Sequence, residues 1–202
     1  MFHSKRLSLV MALLGGIAFC ASARAQTSVG VSLYGSFSGT TTGNGVQESP
    51  SNSAGGIIEL RHISNPILGY EATYSYNRAN TSYRCTSTSC PILTPATVSA
   101  NAHQLTIDWV PSVHIANLRP FGVLGVGLLL NEPSGSQSNP SSSTRGVYVY
   151  GAGLDWGVLP HLGLRFQYRG NLYKSPDLSK LYTSTDAFRH TAQPMVGAYF
   201  SF

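Results

Sequence analysis

Leu68-Gly69-Tyr70-Glu71-Ala72-Thr73-Tyr74-Ser75-Tyr76-Asn77 is the stretch that decides the fold. Leu68, Tyr70, Ala72, Tyr74 and Tyr76 fall on one side of an extended chain, and Gly69, Glu71, Thr73, Ser75 and Asn77 on the other. Successive side chains of a strand point to opposite faces, so one face here is apolar and aromatic and the other small, polar or charged. A soluble strand with that pattern would bury the apolar face. A membrane-barrel strand turns it toward lipid and keeps the polar face for the lumen.

The same alternation recurs eight times. The first strand, about 27–38, sets Val29, Val31, Leu33 and Phe37 against Ser32, Tyr34, Ser36 and Ser38. The second, about 54–63, puts Ile58 and Leu60 out and Glu59 and Arg61 in. After the third comes the fourth, about 98–110, with Leu105, Ile107 and Trp109 opposed to Gln104, Thr106 and Asp108. The fifth starts at Phe121 and directs Leu124, Val126, Leu128 and Leu130 outward, with Gly125 and Gly127 inward. The sixth, about 146–157, has Tyr148, Tyr150, Leu154 and Trp156 out and Gly151, Gly153 and Asp155 in. The seventh, about 162–173, alternates Leu162, Leu164, Phe166, Tyr168 and Leu172 with Gly163, Arg165, Gln167, Arg169 and Asn171. The last strand carries Val196, Ala198, Phe200 and Phe202 on its outer face.

Long polar segments (about 39–53, 78–97, 131–145 and 174–190) alternate with turns at Asn65-Pro66, Pro111–Pro120 and Leu159-Pro160-His161. That asymmetry is expected when one end of a barrel faces the outside and the other the periplasm. The pattern predicts an all-β fold: an eight-stranded antiparallel up-and-down transmembrane β-barrel spanning residues 26–202.

Residues 1–25 read as a cleaved signal peptide. Lys5 and Arg6 precede an uncharged run from Leu7 to Cys20, and Ala23-Arg24-Ala25 offers small residues where a signal peptidase cuts. The run is too short to span a bilayer. Phe19 before Cys20 argues against a lipoprotein signal, which needs a small residue there. Removing Lys5, Arg6 and Arg24 leaves ten Lys and Arg against eight Asp and Glu, so the basic balance comes largely from the leader. No basic stripe interleaved with aromatics remains, which excludes nucleic acid as a partner. Charged residues make up 10% of the chain, beside 11 Tyr and 21 Gly, a poor composition for a soluble α/β enzyme.

Cys85 and Cys90 flank four polar residues in a loop of an exported chain, the natural setting for a small-ring disulfide. Two Cys without nearby His cannot complete a tetrahedral metal site. No zinc spacing, P-loop, G-x-S-x-G or G-x-G-x-x-G occurs, so no metal and no cofactor is expected. His103, His114, His161 and His190 are dispersed and read as girdle or loop residues.

The inward charges carry more information. Glu59, Arg61, Glu71, Asp108, Asp155, Arg165 and Arg169 all fall on the lumen face. An eight-stranded barrel is only wide enough for side chains to fill it. Buried charges of both signs must then pair. With turns centred on Pro160 and on Asn65-Pro66, Asp155 faces Arg165 and Arg61 faces Glu71. Asp108 reaches the same depth, so a mixed ring should close the lumen.

Val196-Gly197-Ala198-Tyr199-Phe200-Ser201-Phe202 resembles the C-terminal signature of bacterial outer-membrane proteins, in which a terminal Phe follows apolar residues at alternate positions. The resemblance implies that Phe200 and Phe202 form a signal read by the barrel assembly machinery. Arg119-Pro120-Phe121-Gly122-Val123-Leu124-Gly125-Val126-Gly127 resembles the middle strand of the OmpA-like and Ail/OmpX-like small barrels. It implies a place in the outer membrane, among its lipid and lipopolysaccharide. The sequence stops at the end of the last strand, so no periplasmic peptidoglycan-binding domain is expected to follow. The extracellular ligand is left open.

His62-Ile63-Ser64-Asn65 looks like the His-x-Ser-Asn stretch of outer-membrane lipid A 3-O-deacylases, where His and Ser act with a Glu. Glu71 is the nearest later acid. The alternation nonetheless turns Glu71 inward and His62 outward, and the segment also reads as a turn with a Ser/Asn cap. The function expected is that of a non-enzymatic small barrel serving envelope integrity or surface interaction through its loops. A small gated channel is the alternative, and a lipid A-modifying barrel enzyme using His62 and Ser64 the further one.

Overall fold

The computed structural model describes residues 26–87, 96–134, 141–179, 182 and 185–202. Residues 1–25, expected to be a leader, and Cys90 lie outside the described residues. Ten strands follow in order: β1 (Gln26–Ser38), β2 (Thr41–Gly43), β3 (Val46–Pro50), β4 (Ser53–Ile63), β5 (Gly69–Cys85), β6 (Ala96–Trp109), β7 (Leu118–Ser134), β8 (Ser143–Gly157), β9 (Leu162–Lys174) and β10 (Phe188–Ser201). β1 and β4 through β10 each pair antiparallel with their neighbours, and β10 pairs back onto β1, so eight strands close a barrel without an edge.

The outer face is what the alternation requires. Leu33, Ile107, Val31 and Val126 are 69%, 67%, 58% and 57% exposed. Exposed apolar area on that scale belongs against lipid rather than water. The turn end of the band carries Tyr70, Trp109, Trp156 and Phe200. Toward the loop end, the Tyr74 hydroxyl and His103 Nδ1 are 2.8 Å apart, as are the Tyr150 hydroxyl and His190 Nε2. Such girdles suit the two membrane interfaces.

Five segments expected as loops or turns are partly strand, among them 174–190, where β10 already begins at 188. Residues 39–53 hold the β2–β3 hairpin, whose β3 pairs with the far end of β5, above the point where β4 stops. β5 runs on through residue 85 and β6 begins at 96, inside the expected loop 78–97. β7 starts at 118 rather than 121 and continues to 134, and β8 begins at 143. A membrane strand needs about 9–11 residues. β5 and β7 have 17 each, so the wall stands well above the bilayer. The physical reason is an inversion of pattern. Above the membrane the outer face meets water and turns polar (Arg78, Asn80, Ser82, Arg84), while apolar side chains move inside (Tyr83, Val98, Ala100). Alternation judged by apolar-out residues fades there although the strands continue.

Candidate functional site: the filled lumen

The register sets Asp155 opposite Arg165 across β8–β9, Arg61 opposite Glu71 across β4–β5, and Glu71 opposite Asp108 across β5–β6. Inward-facing side chains from five strands therefore meet at one level. Arg61 Nε donates to Glu71 Oε2 at 2.6 Å, and Arg61 Nη1 to Asp155 Oδ2 at 3.0 Å. Arg165 Nε and Nη2 hold the two Asp155 oxygens at 2.7 and 2.9 Å. Its Nη1 lies 3.1 Å from Glu59 and 3.4 Å from Glu71. Arg169 reaches Glu71 at 3.2 Å and Asp108 at 2.8 Å, and donates to the Thr106 hydroxyl at 3.0 Å. None of the seven charged residues is more than 3% exposed. Gly125, opposite Asp108, is required for closeness: a Cβ there would overlap the Asp108 carboxylate.

Aromatic rings line the turn side of the cluster. The Arg61 guanidinium sits 4.0 Å from the centroid of Phe121, and Arg165 lies 5.3 Å from that of Tyr199. Such stacking favours arginine over lysine at these positions. On the other side, Thr73 and Thr106 hydroxyls are 2.7 Å apart, and Ser32 donates to Glu59 at 3.1 Å. Beyond them a chamber of about 50 Å³, lined by Gln104, Asn131 and Asn171 among others, is polar enough for water.

A second closure caps this chamber near the loop end, and sequence reading missed it. Arg189 Nη2 donates to Glu48 at 2.9 Å and to the Thr41 hydroxyl at 3.2 Å, while the Ser175 hydroxyl donates to the same carboxylate. Beside it Leu178 packs with Val46, Tyr83, Val98, Ala100 and Tyr182, and the Tyr83 and Tyr182 rings stack at 5.2 Å. Burial pushes the Glu48 carboxyl above the ordinary range, against the lowering effects of the Ser175 hydroxyl and the Arg189 guanidinium. Arg189 was findable, since Thr191, Gln193 and Met195 share its inward parity on β10. Glu48 was not, because nothing in 39–53 alternates visibly.

His62, Ser64 and Glu71 are not brought together. His62 Nδ1 lies 2.9 Å from the Thr27 hydroxyl, the backbone N–H of Ser64 donates to Leu68 O in the turn, and Glu71 is held by three arginines in the lumen. Phe200 and Phe202 project outward, 51% and 60% exposed. Cys85 ends β5. Among the described residues, no group of His, Cys, Asp and Glu could hold a metal ion.

Known barrels share this layout. The chain is similar to the neisserial surface protein NspA, with TM-score 0.55 and 12% identity, covering 91% of this chain and 100% of that one. It is similar to OprG of Pseudomonas aeruginosa, with TM-score 0.57 and 10% identity, covering 88% and 96%. It is also similar to Ail of Yersinia pestis, solved in complex with the heparin analogue sucrose octasulfate, with TM-score 0.51 and 16% identity, covering 89% and 99%. Identities this low speak to the fold alone. No curated protein matches the chain in sequence. Residues 11–200 match the family described as outer membrane protein beta-barrel domain, and the chain therefore belongs to that family of the bacterial outer membrane.

Proposed function

We propose that this chain is a closed, non-enzymatic outer-membrane barrel that acts at the cell surface through the wall and loops standing above the bilayer. The observation that carries the reading is the occluded lumen. Seven charged side chains, each 3% exposed or less, fill its cross-section. A barrel filled in this way offers no through-path, so its work falls to the outer surface. The length of β5 and β7, 17 residues each, supports a surface role by lifting the loops clear of the membrane. Ail, a barrel of this fold, was solved in complex with a heparin analogue. Arg145, Lys174 and Arg189 are paired with Asp177, Asp186 and Glu48, while Arg78 and Arg84 stand exposed on the outer wall with no ion pair among the described residues.

In this reading the chain is exported behind residues 1–25, matures at Gln26, is assembled through the Phe200/Phe202 terminus, and sits among outer-membrane lipid and lipopolysaccharide. Cys85 and Cys90 join as a disulfide that shapes one loop tip. The test is complementation of a deletion strain. Detergent sensitivity or loss of surface attachment should be rescued by a Glu59→Gln/Arg165→Met double variant. A chain whose residues 41–50 are replaced by a short Gly-Ser linker should not rescue it. Rescue by the linker chain but not by the double variant would move the function into the lumen and overturn the proposal.

A further inference from the structure

The turn end of the barrel holds a cavity of about 350 Å³, at the small end of the range for ligand pockets, roughly 300–1,000 Å³. It lies between the turns at 112–117 and 157–161. Arg119 is at its floor, with Asp155 and Tyr199 beside it, His114 on one rim, and Leu159 and Pro160 on the other. Arg119 is the cation the ion cluster leaves over. Its cross-strand partner is Asp155, but both oxygens of that carboxylate are already taken by Arg165 and Arg61. Among the described residues no ion pair engages Arg119, although it is only half-buried and faces the cavity. The surroundings are unusually apolar for turns in water: Val113, Ile115, Val158 and Leu159 are 56%, 59%, 51% and 60% exposed.

A guanidinium whose neighbouring carboxylate is already held by two other arginines, in a cavity with one aliphatic wall, matches a carboxylate carried next to an apolar group. Arginine recognises carboxylates through paired N–H donors, and the wall would cover the neighbouring side chain. We propose that this periplasmic mouth binds the free carboxylate of an apolar amino-acid residue, such as the C-terminus of a short peptide. The site is separate from the surface role above, and neither depends on the other.

The probes are N-acetyl-L-leucine, its neutral amide and inorganic phosphate, titrated into the full barrel in zwitterionic nanodiscs. Binding is followed at the backbone amides of Asn117 and Gly157 by NMR. N-acetyl-leucine should saturate the site, and the amide should bind about tenfold more weakly or worse, the loss expected when a charge-assisted contact goes. Arg119→Gln should abolish the difference between acid and amide, and Arg119→Lys should restore part of it. Leu159→Ser, at a turn tip, should weaken N-acetyl-leucine but not phosphate, which keeps the test decisive if Arg119→Gln does not fold. Equal binding of acid and amide, undiminished binding to Arg119→Gln, or phosphate binding as tightly as N-acetyl-leucine would each overturn the proposal. So would loss of binding when anionic phospholipid replaces part of the bilayer, since the occupant would then be a lipid headgroup.

Discussion

Replacing Arg165 by Met removes one guanidinium that serves three carboxylates. Asp155 keeps Arg61 at 3.0 Å, and Glu71 keeps Arg61 and Arg169 at 2.6 and 3.2 Å. Glu59 has no other ion pair among the described residues and is left with the Ser32 hydroxyl at 3.1 Å. The cost is therefore that of stranding one buried carboxylate, about 3–5 kcal/mol. Met fills much of the stem's volume, so the loss reports the charge more than a void. With a urea dependence of about 2 kcal/mol per molar, the unfolding midpoint should fall by roughly 2 M. Adding Glu59→Gln removes the stranded charge and should return at least half of that, a coupling of about 2 kcal/mol between the two sites. Urea unfolding in phospholipid vesicles reads this through Trp109 and Trp156, which face lipid at 40% and 45% exposure. An Arg165→Met midpoint within about 0.5 M of wild type, on the same scale, would refute the reasoning. So would a double variant whose loss equals the sum of the two singles.

Gly125→Val should displace the Asp108 carboxylate from Arg169 and lower stability by about 2–4 kcal/mol, read in the same unfolding assay, whereas Gly146→Val, with open space around it, should be nearly neutral. The upper closure should tighten in acid. The Glu48 carboxyl is raised by burial, so the folded state holds its proton more firmly than the unfolded chain. Its contribution is then full below the ordinary Glu range and is lost as pH rises through the raised value. Hydrogen exchange at Val46 and Leu178, corrected for intrinsic rates, should show this slope, and Glu48→Gln should flatten it. Non-reducing mass spectrometry of the native protein should find Cys85 and Cys90 joined. So small a ring should add at most about 2–3 kcal/mol, and two free thiols would contradict the pairing.

The membrane half of this barrel was legible because lipid imposes a strict rule on it. Tyr70 to Tyr76, Leu124 to Leu130 and Leu162 to Phe166 alternate cleanly, and that parity also places the seven charges that meet in the lumen. Two prolines did the rest. Turns at Pro66 and Pro160 fix which residues oppose, and the register indeed sets Arg61 against Glu71 and Asp155 against Arg165. Above the membrane the rule changes. Residues 41–50 and 78–85 form strands whose outer face meets water, so apolar-out alternation disappears and the β2–β3 hairpin is invisible. The upper closure joins Glu48 to Arg189 across 141 residues, a long-range contact that no local pattern announces. Arg119 carries no local signal of its own, since in the sequence it only opens the stretch Arg119–Gly127. Its interest arises from Asp155 being occupied, which is a property of the assembled cluster.

The most direct measurement is conductance of the purified chain in planar lipid bilayers. A lumen closed by Arg61, Arg165 and Arg169 against four carboxylates, and again by Glu48 and Arg189 near the loop end, should give no stable current steps over repeated insertions, while Arg165→Ala combined with Arg189→Ala, which leaves room for water at both closures, should give small discrete openings. Steady single-channel steps from the wild-type protein, unchanged by the two substitutions together, would contradict a sealed barrel.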